Sequence, residues 1–206
     1  MCWQTPCWRS SAVIVLKKFG NGCSGGTSAF APIKPLALIG MMGAGKSTVA
    51  ELIAQRCGCA WYDLDCLIEQ RLGRAIATVF QEDGETVFRD AEARTLAELE
   101  RSVRNPYVLA TGGGTPLHGA SFDLLAARFC VAWLHAPNQT LFERAFDPKR
   151  PLTAGGQEAF SMLASRRSEC YRTLAQLAVD VGQISAAQAA DQIWHWWKEH
   201  CYESEP

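Results

Sequence analysis

A glycine-rich segment near residue 40 constrains the fold more than any other part of this sequence. Residues 40–47, GMMGAGKS, match the pattern G-x-x-x-x-G-K-[S/T]. A short apolar run, residues 36–39, precedes the motif, and Val49 and Ile53 follow it at helical spacing. The order strand, glycine-rich loop, helix is the context that this motif requires. It predicts an α/β fold.

The same spacing predicts a binding site for a nucleoside triphosphate. Glycines let backbone N–H groups turn around phosphate oxygens, and the positive end of the following helix faces the same charge. Lys46 would reach the β- and γ-phosphates, and Ser47 would supply a hydroxyl to Mg²⁺. The predicted nucleotide-binding residues of this loop are Gly43, Ala44, Gly45, Lys46, Ser47 and Thr48.

Four more apolar runs of strand length follow, separated by segments of helical period. They are residues 61–63, 107–110, 130–134 and 177–181. The last helix is predicted to begin at Ser185, because Ser185 and Gln188 have the spacing of a capping box. Strands that alternate with helices form parallel sheets covered on both faces. We therefore expect three layers, α/β/α, around a central five-stranded parallel sheet.

The first 34 residues differ in composition from the rest. They contain no Asp or Glu, and the first acidic residue of the chain is Glu51. We expect residues 1–34 to be a disordered leader and residues 35–202 to form one domain, in keeping with a length of 206 residues. Organelle targeting by the leader is the less favoured alternative.

Charge and cysteine content exclude several classes of function. Twenty Lys and Arg against 21 Asp and Glu leave a net charge of -1, and apolar runs are too short to span a bilayer. We therefore expect no nucleic-acid or membrane partner. Nine cysteines is an odd number, and their spacing matches neither zinc knuckles nor a disulfide framework. Reduced thiols in a cytoplasmic protein are expected; an isolated disulfide or a zinc site is the alternative.

Two carboxylates follow the second predicted strand, at the end where parallel sheets place their ligands. Because residues i and i+2 of a strand face the same side, Asp63 and Asp65 should point into one cleft. Asp63 would contact the Mg²⁺ shell, and Asp65 would accept a hydrogen bond from a substrate hydroxyl.

Two further features gain meaning only from their surroundings. Glycines 112–114 follow the third predicted strand and would let the main chain approach a ligand closely, although such a turn alone is most often only a turn. Arg89 and Glu92 are three residues apart on a predicted helix. In isolation they would be a surface ion pair.

Six motifs, taken in chain order, resemble shikimate kinase. They are GMMGAGKST at 40–48, the Asp63 and Asp65 pair, G-E-x-x-F-R-x-x-E at 84–92, ATGGG at 110–114, RPL at 150–152 and R-x-x-x-Y at 167–171. The resemblance runs from about residue 34 to the final helix and leaves the leader outside. Many nucleotide-binding proteins share the phosphate loop, whereas the ordered set is far more specific.

The resemblance implies ATP-dependent phosphorylation of the 3-hydroxyl of shikimate by a monomeric enzyme. Arg89 and Arg167 would hold the shikimate carboxylate, since the guanidinium offers a fixed pair of donors. Asp65 would orient the attacking hydroxyl, and whether it also acts as a general base stays open. Gly113 and Gly114 would contact the substrate. The substrate-binding helical segment would be residues 65–100.

The resemblance also implies a lid over ATP at residues 146–158. Arg150 in that lid would contact the phosphates and act in catalysis with Lys46 and Asp65. Gln183 lies in the loop where relatives contact adenine, and Mg²⁺ would be held by Ser47 and Asp63. Two alternatives stay open: another small-acid kinase, such as a gluconate kinase, and a catalytically silent nucleotide-binding module.

Overall fold

The architecture is taken from a computed structural model that describes residues 34–146 and 155–201. The predicted leader, apart from Lys34, lies outside the described residues. The same holds for residues 147–154 of the predicted lid and therefore for Arg150.

Five parallel strands form one sheet, as the alternation of strands and helices predicted. The order across the sheet is β2-β3-β1-β4-β5, so the first strand is central. The strands are β1 (Leu36–Ile39), β2 (Ala60–Asp63), β3 (Tyr107–Ala110), β4 (Cys130–His135) and β5 (Leu177–Asp180). Parallel strands align their carboxyl ends, so the loops after β1, β2 and β3 meet at one edge.

Helices cover this sheet. In the described residues they are α1 (Lys46–Cys57), α2 (Leu64–Leu72), α3 (Ile76–Glu82), α4 (Gly84–Ser102), α5 (Gly119–Arg128), α6 (Asn138–Ala145), α7 (Gly156–Leu174) and α8 (Ala186–His200). A short 3₁₀ helix, Thr115–Leu117, follows the three glycines. α1 packs against α8, and α5 packs against α4 and α7. None of the described helices combines the length and apolar character needed to cross a bilayer.

Burial explains why the apolar runs are strands. Every residue of β1 and β3 is buried, whereas the edge strand β2 is partly exposed. This is the burial expected when helices cover both faces of a parallel sheet. The capping box at the start of α8 is confirmed. The Ser185 side chain accepts from the backbone N–H of Gln188, and the Gln188 side chain accepts from the backbone N–H of Ser185.

The expectation that the cysteines are all reduced thiols is wrong for one pair. Cys130, the first residue of β4, forms a disulfide with Cys201, which follows α8. The pair is 71 residues apart in the chain, so spacing gave no sign of it. α8 returns to the amino edge of the sheet and brings Cys201 to the start of β4.

Candidate active site

The phosphate loop lies between β1 and α1, and its glycines are required by packing and by backbone angle. Gly40, Gly43 and Gly45 have φ of 137°, 83° and 81°, values that residues with a Cβ rarely adopt. A Cβ on Gly40 would also collide with the backbone of Leu134, and one on Gly43 with the backbone of Leu141. The loop is therefore held between β4 and α6 in one shape.

Lys46 lies inside this loop. Its Nζ donates to the carbonyl oxygens of Gly40, at 2.9 Å, and Met41, at 3.1 Å. Burial lowers the pKa of Lys46 to about 8; Asp65 and Asp63 oppose this shift, and Arg167 adds to it. A cation held over the loop by two carbonyls is placed where phosphate oxygens can replace them.

Asp63 joins the phosphate loop to the second strand. Its Oδ2 accepts from Ser47 Oγ at 2.6 Å, and its Oδ1 accepts from the backbone N–H groups of Asp65, at 3.0 Å, and Cys66, at 3.3 Å. Asp63 is thus the N-cap of α2 as well as a partner of Ser47.

The prediction that Asp63 and Asp65 face the same side of one strand is therefore wrong. Asp65 lies in the first turn of α2 and not on the strand, because Asp63 caps that helix and ends β2. The two carboxylates still lie at the same edge of the sheet. There, burial raises the pKa of Asp65 to about 6, with Asp63 adding to the rise and Lys46 opposing it. Asp65 can gain and lose a proton near neutral pH.

Each of the three glycines after β3 lies against a different charged side chain. A Cβ on Gly112 would lie 2.7 Å from Asp65 Oδ1, and one on Gly113 would lie 3.2 Å from Arg167 Nη1. A Cβ on Gly114 would collide with the guanidinium of Arg89. The backbone therefore seats one carboxylate and two guanidinium groups side by side.

Arg89 is held from α4 by two glutamates of the same helix. Its Nη1 donates to Glu92 Oε2 at 2.8 Å, and its Nε and Nη2 both contact Glu85 Oε1. Glu92 is fully buried and also accepts from Thr115 Oγ1 at 2.6 Å. Glu92 therefore fixes Arg89 firmly, since a buried carboxylate left without its charged partner would cost several kcal/mol.

Arg167 reaches the same place from α7. It is buried, and its Nε has no hydrogen-bond partner among the described residues. The neighbouring Tyr171 donates from its hydroxyl to the Gly113 carbonyl, and burial raises the pKa of Tyr171 to about 12. A buried guanidinium with an unused donor favours an anionic ligand.

The guanidinium groups open onto a cleft of about 550 Å³ between α4 and α7. Arg89, Arg166, Arg167 and His118 contribute to its walls. A second cavity, of about 240 Å³, lies at the opposite, amino edge of the sheet. We place the site in the cleft between α4 and α7, because parallel sheets bind their ligands at the carboxyl edge. Lys46 and Asp65 lie at that same edge.

Known proteins similar to this chain decide its family. The sequence model described as shikimate kinase matches residues 42–198. The chain is 43% identical to a shikimate kinase of Gloeobacter violaceus over 162 residues, which is 77% of this chain and 89% of that protein. The chain belongs to the shikimate kinase family. It is therefore an ATP-dependent kinase, and the expected α/β fold and activity class are confirmed.

Solved structures agree with this assignment. A shikimate kinase from Acinetobacter baumannii, solved in complex with shikimate, matches with a TM-score of 0.75 and 32% identity, over 80% of this chain and 92% of that one. A gluconokinase from Sinorhizobium meliloti matches with a TM-score of 0.52 and 19% identity, over 83% and 95% of the two chains. That second likeness shows a shared fold alone.

Most residues predicted for the site lie together at the carboxyl edge. The exceptions are Gln183, which is exposed in the loop between β5 and α8, and Arg150, which is outside the described residues. Sequence reasoning missed Arg144, which lies on α6 and donates to the carbonyls of Val181, at 2.9 Å, and Gly182, at 3.4 Å. It thereby fixes the loop that carries Gln183.

Sequence reasoning also missed residues whose role appears only in the packing. Gly112 was part of a noted motif but was not assigned to the site, and nothing drew attention to Met41 or Thr115. The one available signal was the run of three glycines, because a turn needs at most one or two.

Proposed function

We propose that this kinase transfers the γ-phosphoryl group of ATP to the 3-hydroxyl of shikimate, giving shikimate 3-phosphate and ADP. The proposal rests on one observation: Asp65, Arg167 and Arg89 pack directly against three consecutive glycines, residues 112–114. Two cations beside one carboxylate suit a ligand that has one carboxylate and several hydroxyls.

The acceptor would be held by charge and oriented by hydrogen bonds. Arg89 and Arg167 would bind its carboxylate, and the backbone at Gly113 and Gly114 would lie against it. Asp65 would accept a hydrogen bond from the 3-hydroxyl. With a pKa of about 6, it is ionised above that pH and can take the hydroxyl proton as the new bond forms.

The donor would be held by the phosphate loop. Backbone N–H groups of residues 43–48 would surround the phosphates, and Lys46 would leave its carbonyl partners for the β- and γ-oxygens. Lys46 and Asp65 interact electrostatically, so the donor and acceptor sites adjoin. The chemistry then rests on positioning and charge neutralisation.

The residues present fit a magnesium ion. Ser47 and Asp63 supply hard oxygen ligands 2.6 Å apart at the phosphate loop, and Mg²⁺ keeps several waters and binds phosphate oxygens besides few protein groups. The described residues hold no cluster of three or more His, Cys, Asp or Glu that could hold a metal. We infer that Ser47 binds Mg²⁺ directly and Asp63 through water; the ion would neutralise phosphate charge.

Other parts of the proposal rest on the sequence alone. Arg150, in a lid at residues 146–158, would close on the phosphates and exclude water that competes as acceptor. Gln183 would contact adenine. Residues 65–100 would form the acceptor-binding segment of a kinase domain at 35–202. The enzyme would act as a cytoplasmic monomer, with no nucleic-acid or membrane partner.

An ADP-release assay coupled to NADH oxidation tests the proposal. We expect release of ADP that depends on shikimate, with gluconate giving no more than the background without acceptor. Turnover of gluconate without turnover of shikimate would favour a gluconate kinase. ATP binding without turnover of either acid would favour the silent module.

A further inference from the structure

Two cysteines lie side by side at the end of α1, away from the phosphate loop. The Sγ atoms of Cys57 and Cys59 are 2.7 Å apart, and both side chains are half-buried. An S–S bond is about 2.05 Å long, so a small movement would bring the two sulfur atoms to bonding distance. Because Cys57 lies 11 residues after Lys46 on α1, the pair is about 17 Å along the helix from Lys46.

The local backbone explains why the two thiols meet. Gly58 between them has φ of 66° and ends α1 in the left-handed conformation. The backbone N–H groups of Gly58 and Cys59 both donate to the Ala54 carbonyl, as at many helix ends. This tight turn between α1 and β2 reverses the chain and places the flanking side chains together.

We propose that Cys57 and Cys59 form a site of reversible thiol–disulfide exchange, in which a small-molecule disulfide oxidises them to an intramolecular disulfide and a dithiol reductant restores both thiols. The exposed residues on either side of Cys59, Gly58 and Ala60, leave room for a small oxidant to approach. This site is separate from the Cys130–Cys201 disulfide.

Cys57 is the attacking thiol. The hydrogen bond between the two thiols lowers the pKa of Cys57, whereas the same bond and burial raise the pKa of Cys59. With oxidised glutathione, the Cys57 thiolate attacks one sulfur and expels glutathione thiolate, leaving a mixed disulfide. Cys59 then loses its proton and attacks the Cys57 sulfur, which expels the second glutathione. Two protein thiols are oxidised, one glutathione disulfide is reduced and two glutathione thiols form.

The two cysteine pairs should respond differently to reductant. A bridge between residues 57 and 59 closes a ring of few atoms, whereas Cys130–Cys201 closes a loop over 71 residues. Strained or more accessible disulfides are the more readily reduced class, and Cys57 and Cys59 are half-buried whereas Cys130 and Cys201 are buried. We therefore expect the bridge at Cys57 to appear and disappear over a range of glutathione ratios that leaves Cys130–Cys201 unchanged.

Thiol alkylation and mass spectrometry of the full chain test this proposal. Trypsin cuts after Arg56 and Arg71, so Cys57, Cys59 and Cys66 share one peptide; a Cys66→Ser background leaves two cysteines in it. The protein is equilibrated with mixtures of reduced and oxidised glutathione, alkylated with iodoacetamide and digested. We expect this peptide to lose both alkyl groups together, without a glutathione adduct, and to regain both after dithiothreitol.

Single variants separate exchange from simple proximity. In Cys59→Ser, Cys57 should accumulate a glutathione adduct that the parent protein lacks; Cys59→Ala is the substitute if the serine variant misfolds. In Cys57→Ser, Cys59 should stay alkylated. Cys170 is the matched reference thiol, since it is half-buried and donates to the Pro116 carbonyl at 3.0 Å, and it should stay alkylated throughout. Unchanged kinase activity shows that each variant is folded.

Three results would overturn the proposal. They are independent alkylation of Cys57 and Cys59 at every glutathione ratio, a stable glutathione adduct on Cys57 in the parent protein, and a bridge from either cysteine to a third.

Discussion

The phosphate loop and the acceptor site lie side by side but are built in opposite ways. The loop comes from nine consecutive residues, 40–48, and its shape follows from glycines with positive φ. The acceptor site takes one side chain each from α2, α4 and α7, and the glycines after β3 seat them. The loop depends on the angles and packing of one continuous segment, whereas the acceptor site depends on how three helices pack together. A change in one should therefore leave the other working.

The largest effect should come from the loop. We expect Lys46→Ala to lower kcat by about 10²- to 10³-fold, because a preorganised donor to the transferring group is removed, with the fold intact by circular dichroism. Steady-state turnover measures this change, and Lys198→Ala, an exposed lysine on α8, is the matched control. Near-normal turnover in Lys46→Ala would mean that the loop does not hold the transferring phosphate.

A change in the acceptor site should leave the loop working. Arg89→Lys removes the pair of donors that the guanidinium offers, and a hydrogen bond to a charged group is worth roughly 1.5–3 kcal/mol. We expect the KM for shikimate to rise about 10- to 150-fold while the KM for ATP stays unchanged. Arg94→Lys, at an exposed position of α4, is the control. An equal rise in both KM values would break the proposed separation.

A methyl group on the glycine turn should weaken the acceptor site although no charged residue is replaced. In Gly114→Ala the new Cβ would collide with the Arg89 guanidinium, which must move. We expect the KM for shikimate to rise about tenfold, corresponding to one misaligned hydrogen bond. Gly119→Ala is the matched control, since a Cβ there meets nothing within 4 Å. If the two variants behave alike, Gly114 does not seat Arg89.

The smallest effect should appear in the pH profile. Since the pKa of Asp65 is about 6, kcat/KM should fall by half as the pH drops to about 6, where protonated Asp65 no longer accepts from the hydroxyl. A profile that is flat from pH 8 to pH 5 would contradict a role for the Asp65 carboxylate.

Asp65 should also affect stability, with the opposite sign. Between about pH 4 and pH 6 the folded chain keeps a proton on Asp65 that the unfolded chain releases, so this residue lowers stability as the pH rises through that range. We expect Asp65→Asn to raise the free energy of unfolding at pH 8 by on the order of 2 kcal/mol and to have little effect at pH 4. Urea titrations measure both, with Asp90→Asn as the exposed control.

The same contrast explains what the sequence could and could not predict. The strands, the loop and the α8 cap are local features, visible in runs of a few residues. The roles of Arg89 and Arg167 were predicted from the resemblance to a family, by matching motif positions one at a time. By contrast, the seating of Arg89 on Gly114 joins positions 25 residues apart, and the Cys130–Cys201 disulfide joins positions 71 apart. Neither follows from local pattern, because packing of whole helices brings those residues together.

For Asp63, the sequence predicted the right location for the wrong structural reason. Its place at the site was predicted from strand alternation, yet it belongs there because it caps α2 while accepting from Ser47. A carboxylate at the end of a strand and the start of a helix fits both patterns in the sequence. The hydrogen bonds to the backbone of Asp65 and Cys66 show that the cap determines its position.

The position of the new phosphate tests the central claim most directly. The enzyme, ATP and Mg²⁺ are incubated with ¹³C-labelled shikimate, and the product is followed by ¹³C and ³¹P NMR. We expect phosphorus coupling at the carbon that carries the 3-hydroxyl, in proportion to the ADP formed. Phosphate on a different hydroxyl, or ADP formed without a phosphorylated acid, would contradict the proposed seating of shikimate between Asp65 and the two arginines.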